Sequence, residues 1–273
     1  MQIGKFNVSS HILGYFRLDG GAMFGAVPKA LWSRKIPADE DNCIRLAARV
    51  MLVEWDERKL LVDVGLGEKW GEKERKIFGI NNVPQAEWGF DPDTITDIVI
   101  THLHFDHAGG ISRWKEKNEG EIEPVFRNAK VFIQKNNLKA GESPNPRERA
   151  SYLKENVSLL SMVECETLDG ETEIYTGICV HPSSGHTEGL QWIEVKGDDR
   201  SVCYPADLIP TSHHLSLPYH MGYDMCTRRL LEEKKQLLDY AVETESIILF
   251  EHDPDIAACT VGLDDKGRYC VKE

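Results

Sequence analysis

For most of its length the chain places apolar residues in short runs separated by polar turns. Residues 44–55 (IRLAARVMLVEW), 59–64 (KLLVDV) and 97–100 (DIVI) read as strands, the first two joined by the polar turn 56–58. Each of the latter two runs into a polar, glycine-containing loop. Between them, residues 68–78 carry apolar positions at helical spacing among charges, despite Gly71, and predict a surface helix or an ordered flap. Residues 130–133 form another strand pattern. A helix is predicted over 146–157, with Pro146 at its first position. Strand patterns follow at 177–181, 190–195 and 201–204, then a long irregular segment at 207–224, a helical pattern at 227–242 and a last strand at 247–251. No repeat, low-complexity tract or linker interrupts the series, so one domain is expected over 1–273. Strand groups in both halves with helices interspersed suggest two sheets packed face to face with helices outside.

Composition narrows the function more than the fold. With 273 residues, 41% of them apolar, the chain can bury an ordinary core. Its formal charge of −13 argues against a nucleic-acid groove, which needs clustered cations, and disfavours an anionic membrane surface. A small neutral or weakly charged substrate fits better. The seven cysteines are scattered and form no C-x-x-C pair, so neither a disulfide framework nor a thiolate zinc site is indicated. The N-terminal stretch lacks the pattern of a signal peptide, and no segment reaches the roughly 18 apolar residues of a membrane span. A soluble cytoplasmic protein is expected.

The chemistry is concentrated in THLHFDHAGG, residues 101–110, directly after the apolar run 97–100. His102, His104, Asp106 and His107 fall within six positions. Imidazoles this close oppose each other's protonation, and a carboxylate among them is a typical metal partner. In H-x-H-x-D-H, alternate residues at the mouth of a strand can converge on one ion while the next two turn toward a second. Further candidate ligands lie just past strand patterns: His186 in SSGHTEG, Asp207 after SVCYPA and His252 after SIILFE. Strand ends on one edge of a sandwich converge in space. Singly, each of these residues is as easily read as an ordinary loop residue.

These motifs, with LLVDVGLG at 60–67 and FEHDP at 250–254, occur in an order that resembles the metallo-β-lactamase-fold hydrolases over nearly the whole chain. The resemblance implies an α/β (α+β) architecture, an αββα sandwich of two mixed sheets with a dinuclear site on one edge. It implies that His102, His104 and His186 hold the first metal, Asp106, His107 and His252 the second, and that Asp207 bridges them. Asp63 would brace the histidine loop, the alternative being a plain turn residue before Gly65. Five imidazoles, two carboxylates and no thiolate suit two Zn²⁺ ions per chain, with Mn²⁺ or Fe²⁺ also tolerated. Two cations about 3.5 to 4 Å apart make a bridging hydroxide near neutral pH and polarise the scissile carbonyl. Asp106 is the carboxylate placed to accept the nucleophile's hydrogen bond. The redox branch of the fold has Glu where this chain has His104.

Substrate choice must come from the surrounding segments. Residues 18–32 and 207–224 mix apolar, aromatic, Gly and Pro residues and suit ordered loops lining an apolar pocket, or packing or oligomer-contact loops. A homodimer is left open. His213, His214 and His220 are read as packing residues. The chain resembles both the quorum-signal lactonases and the organophosphate hydrolases. Lactonases place a tyrosine soon after the bridging aspartate, whereas Leu208, Ile209 and Pro210 follow Asp207 here, so that catalytic role is unfilled unless Tyr223 or a nearby histidine swings in. Lactone or ester hydrolysis is the expected activity. The alternatives are phosphotriester hydrolysis on the same site and a non-catalytic metal-binding protein.

Overall fold

The computed structural model describes residues 1–115 and 118–272. One sheet runs, in spatial order, through strands Gln2–Ile3, Phe6–Asp19, Cys43–Trp55, Arg58–Val62, Asp97–Val99, Lys130–Gln134 and Cys165–Leu168, with Asn81–Asn82 paired to Phe6–Asp19. Its first half is antiparallel and its second half parallel. Ser112–Lys115 pairs with Asn118–Pro124 in a separate two-stranded ribbon, and the second large sheet runs through Thr172–Tyr175, Ile178–Ser183, Leu190–Lys196, Ser201–Tyr204, Ile247–Leu249, Ala258–Leu263 and Tyr269–Lys272. Its single parallel pair, Ser201–Tyr204 with Ile247–Leu249, is connected through the helix Thr227–Glu243. A parallel pair needs such a crossover.

Both large sheets are mixed, and one core lies between them. Phe6, Met51, Val53, Val62, Val99 and Phe132 of the first sheet pack against Ile178, Val180, Ile193, Val202 and Tyr204 of the second. On the outer face of the first sheet, Leu52, Leu61, Ile98 and Val131 are covered by Tyr152, Leu159 and Leu160. On the outer face of the second, Cys203, Ile248 and Val261 are covered by Leu230, Leu237, Leu238 and Ala241 of the helix Thr227–Glu243. That helix presents apolar side chains three and four residues apart, the spacing of one helical face. The expected αββα sandwich is therefore present, with each sheet apolar on both faces because each face is covered.

Several elements differ from the sequence reading. The strand Phe6–Asp19, fourteen residues long, was not anticipated. The helix expected over 146–157 is confined to Lys154–Leu159, with turns before it. The reason is local: Asn145 Oδ1 accepts from the backbone N–H groups of Arg147 and Glu148 at 2.9 and 3.2 Å, a side-chain turn that competes with helix formation. The strand expected to reach residue 64 stops at Val62, because Asp63 takes a left-handed backbone with φ 59°. The segment 18–32 is not loop throughout; it contains the short helices Gly20–Phe24 and Lys29–Trp32. Among the described residues, no helix is long and apolar enough to cross a membrane.

Candidate metal centre

Four chain segments carry the chemistry to one edge of the sandwich, each just past a strand. The loop after Asp97–Val99 supplies His102 and His104, and the short helix Phe105–Ala108 supplies Asp106 and His107. His186 follows Ile178–Ser183, Asp207 follows Ser201–Tyr204, and His252 follows Ile247–Leu249. All seven are buried. Their donor atoms form two groups: His102, His104, His186 and Asp207, then Asp106, His107 and His252, each group within 4.8 Å. The two groups meet at Asp207. Its Oδ2 lies 3.1 Å from His186 Nε2, and its Oδ1 lies 3.1 Å from His252 Nε2. The structure thus brings together the seven residues that the sequence singled out, in two neighbouring groups.

The unsatisfied atoms indicate what this arrangement is built for. Buried polar atoms are normally hydrogen-bonded. Here His102 Nε2 and Asp207 Oδ1 are buried with no hydrogen-bond partner. Elsewhere ring nitrogen faces ring nitrogen: His186 Nε2 and His104 Nδ1 at 3.2 Å, His252 Nε2 and His107 Nε2 at 3.2 Å. Imidazole nitrogens that converge on a space shared with carboxylate oxygens fit divalent cations of the zinc type. Burial, reinforced by the neighbouring His107, holds His102 well below the usual histidine range, so it stays neutral. Burial alone would raise Asp207, but His186, His107 and His252 outweigh it and hold the carboxylate well below its usual range.

The opposite ring nitrogens are anchored, which fixes each imidazole's orientation. His186 Nδ1 donates to Asp224 Oδ1 at 2.9 Å, and His252 Nδ1 donates to the Ala47 carbonyl at 2.8 Å. His107 Nδ1 faces two carboxylates, Asp63 Oδ2 at 3.0 Å and Glu251 Oε2 at 2.8 Å. Burial, together with the charge of Asp63, pushes Glu251 up to about 8 against the opposing pull of His107. Asp63 also accepts from Thr101 N at 2.8 Å and Thr101 Oγ1 at 2.7 Å. It therefore combines the two roles weighed for it, a left-handed turn residue and the brace of the histidine loop. Asp224, Glu251 and Glu148 were missed by sequence reasoning. Asp224 lies inside the segment 207–224 and Glu251 beside His252, but no spacing distinguishes either from an ordinary acidic residue.

A cavity of about 230 Å³ opens onto both donor groups. His104, Asp106, His186, Asp207 and His252 form its polar part; Leu18, Met23, Phe78, Phe105 and Met221 form an apolar wall, joined by Arg147, Glu148 and Tyr223. Leu18 and Met23 come from 18–32, Met221 and Tyr223 from 207–224, so both suspected segments line it. Burial pushes the Tyr223 hydroxyl up to about 12, so it is a proton-bearing donor at neutral pH. His214 is a packing residue, stacked on Phe24 with ring centroids 4.8 Å apart. His213 and His220 lie outside both donor groups.

The model of the metallo-beta-lactamase superfamily matches residues 44–125, which include the strands and the histidine loop at the heart of the first sheet. The chain is 24% identical over 235 residues to an N-acyl homoserine lactonase of Bacillus cereus, covering 78% of this chain and 83% of that one. Among solved structures, a probable metal-dependent hydrolase from Staphylococcus aureus superposes with a TM-score of 0.88 at 28% identity, covering 100% of this chain and 99% of that chain. AidC, a dizinc quorum-quenching lactonase in complex with a product, superposes with a TM-score of 0.75 at 20% identity, covering 100% and 96%. The protein has the metallo-β-lactamase fold, and its residues 44–125 resemble that superfamily. It is a metal-dependent hydrolase, similar to the lactonases of that fold.

Proposed function

We propose that the protein is a dinuclear lactone hydrolase, with two Zn²⁺ ions shared among the seven converging ligands. His102, His104 and His186 would hold one ion, Asp106, His107 and His252 the other, and Asp207 both. The observation that carries this reading is the meeting of the two donor groups at Asp207 on the floor of an apolar-walled cavity. The named relatives, N-acyl homoserine lactonases among them, support the lactone. Bound in this way, two divalent ions supply an acidified water as nucleophile and an electrophile for the carbonyl oxygen.

The chain's own groups do the rest. Asp106 borders the cavity with Oδ2 3.5 Å from His252 Nε2, and would accept the nucleophile's hydrogen bond. Tyr223, still protonated, would donate to the substrate's carbonyl or leaving oxygen. The apolar wall would take an uncharged substituent and exclude water from it. The seven cysteines are all free, which supports a reducing cytoplasmic setting. A purified, metal-analysed sample assayed against lactones, aryl esters, thioesters, phosphotriesters and a cephalosporin tests the reading. Lactones should give the highest kcat/KM. A phosphotriester preferred over every lactone would overturn the substrate assignment, and no turnover of any class in protein holding two ions per chain would overturn the enzyme reading.

A further inference from the structure

Glu148 is a buried carboxylate whose position has no counterpart in the roles assigned above. It lies on the cavity wall with Oε1 3.6 Å from His104 Nε2, on the side of that ring facing away from His186. Several contacts hold it there. Thr187 Oγ1 donates to Glu148 Oε1, and Asn145 Nδ2 donates to Glu148 Oε2. The Tyr152 hydroxyl lies 2.8 Å from Thr187 Oγ1, and the Tyr152 ring stands edge-on to the His104 ring at 4.9 Å. The backbone of Tyr152 also pairs with that of His104. Glu148 is thus built into the same frame as His104, and through Thr187 into the loop that carries His186.

The frame bears on a choice of tautomer. His104 Nδ1 lies 3.2 Å from His186 Nε2, inside the first donor group. A proton on Nδ1 would point into the space where the lone pairs converge, and His104 could not act as a ligand there. A proton on Nε2 leaves Nδ1 free, and Nε2 is the buried nitrogen that has no hydrogen-bond partner and faces Glu148. At 3.6 Å the pair is longer than a hydrogen bond, but a carboxylate at that distance in a buried site still favours a proton on the nearer nitrogen. We propose that Glu148 is a positioning residue that keeps the proton of His104 on Nε2, so that Nδ1 is available to a metal, and that Thr187 holds Glu148 in place for this purpose. The inference rests on the metal reading of the seven-residue cluster.

The test uses the cobalt-substituted enzyme, whose visible spectrum reports the ligand field independently of turnover. Glu148→Leu removes the acceptor while keeping bulk. It should weaken binding of at least one ion by about tenfold or more, shift the visible bands, and lower kcat more than it raises KM. Glu148→Gln, which keeps a neutral acceptor, should recover much of the affinity. Thr187→Val removes only the hydroxyl and covers the case in which Glu148→Leu fails to fold; it should show the same changes in weaker form. Wild-type affinity and spectrum in both Glu148→Leu and Thr187→Val would overturn the proposal. So would an effect confined to KM, which would place Glu148 on the substrate. If the unaltered protein itself takes up no cobalt, the metal-centre reading fails and this inference with it; if it binds two ions and the variants match it, this inference alone fails.

Discussion

An imidazole commits one nitrogen to a ligand only when something fixes the proton on the other, and here the fixing groups differ from histidine to histidine. A carboxylate does it for His186, a backbone carbonyl for His252, and Asp63 for His107, with Glu251 beside the same nitrogen. The candidate ligands were legible in the sequence because H-x-H-x-D-H is compact and the other three follow strand patterns. The anchors were not, because Asp224, Glu251 and Glu148 reach their histidines through tertiary folding and sit in no fixed register with them. Asp63 was the exception, since it belongs to the V-D-x-G run. This division of labour separates two kinds of substitution. Asp207→Ala removes the residue shared by both donor groups and should lower the metal content below two ions per chain, with hydrolysis lost. Tyr223→Phe should leave metal content at the wild-type value and act on kcat or substrate preference, since Tyr223 lines the cavity outside both groups. Elemental analysis alongside initial rates distinguishes them, and metal loss in Tyr223→Phe would show that the tyrosine's role has been misread.

At the scale of elements, the histidine loop is held by a second loop pressed against it. The turn after Arg58–Val62 runs through Asp63, Gly65 and Gly67, all with positive φ, and meets Gly109 and Gly110 almost backbone to backbone. Val64 N donates to the His107 carbonyl at 2.8 Å, Gly110 N to the Gly65 carbonyl at 2.9 Å, and Lys69 Nζ to the carbonyls of Gly109 and Ser112 at 2.6 and 2.7 Å. A Cβ on Gly109 would lie 2.1 Å from the Leu66 carbonyl oxygen, a backbone atom that cannot swing away. Gly109→Ala should therefore cost about 2–4 kcal/mol in a denaturation series and weaken metal binding with it; a variant as stable as the parent would mean the loops are not coupled this tightly. Glu194 ties a different set of elements. On the strand Leu190–Lys196 it accepts from Ser201 Oγ at 2.8 Å and from the Tyr240 hydroxyl of the helix Thr227–Glu243, with His181 Nε2 at 3.3 Å. Burial raises its pKa, but these partners win and bring it down to about 2. Below about pH 4.5 the unfolded chain takes up this proton before the folded one, so stability should fall as pH drops from about 4.5 toward about 2. The loss attributable to Glu194 is at most about 3 kcal/mol. Acid titrations followed by circular dichroism should show that slope reduced in Glu194→Gln; an unchanged slope would assign it to other carboxylates.

For the whole molecule, the layered architecture was readable because strand patterns separated by turns recur in both halves, and the central strands kept their places to within a few residues. What escaped were elements specified by long-range pairing. Phe6–Asp19 alternates poorly, yet it pairs along its length with Cys43–Trp55, and the segment 146–157 trades helix for turns that set Glu148 and Tyr152 against His104. The same fold gathers many carboxylates at one edge of a chain whose formal charge is already −13. Asp63, Asp106, Glu148, Asp207, Asp224 and Glu251 are all buried around the seven-residue cluster. Buried acids this close raise one another's cost of ionisation unless cations lie among them. Ions bound by the folded chain and not by the unfolded one add stability in proportion to RT ln(1 + [L]/Kd), about 2.7 kcal/mol at a hundredfold excess over Kd. For a chain of this size that corresponds to roughly 5–10 °C in Tm. Prolonged incubation with a chelator, followed by metal analysis, should therefore lower Tm and remove hydrolysis together, and added Zn²⁺ or Mn²⁺ should restore both. Thiol alkylation should leave the rate largely intact, because none of the seven cysteines belongs to either donor group. A fall in Tm without loss of activity would make the ions structural only. Full activity in protein shown to be metal-free would rule out the metal-dependent chemistry and, with it, the reading of THLHFDHAGG as its principal ligand loop.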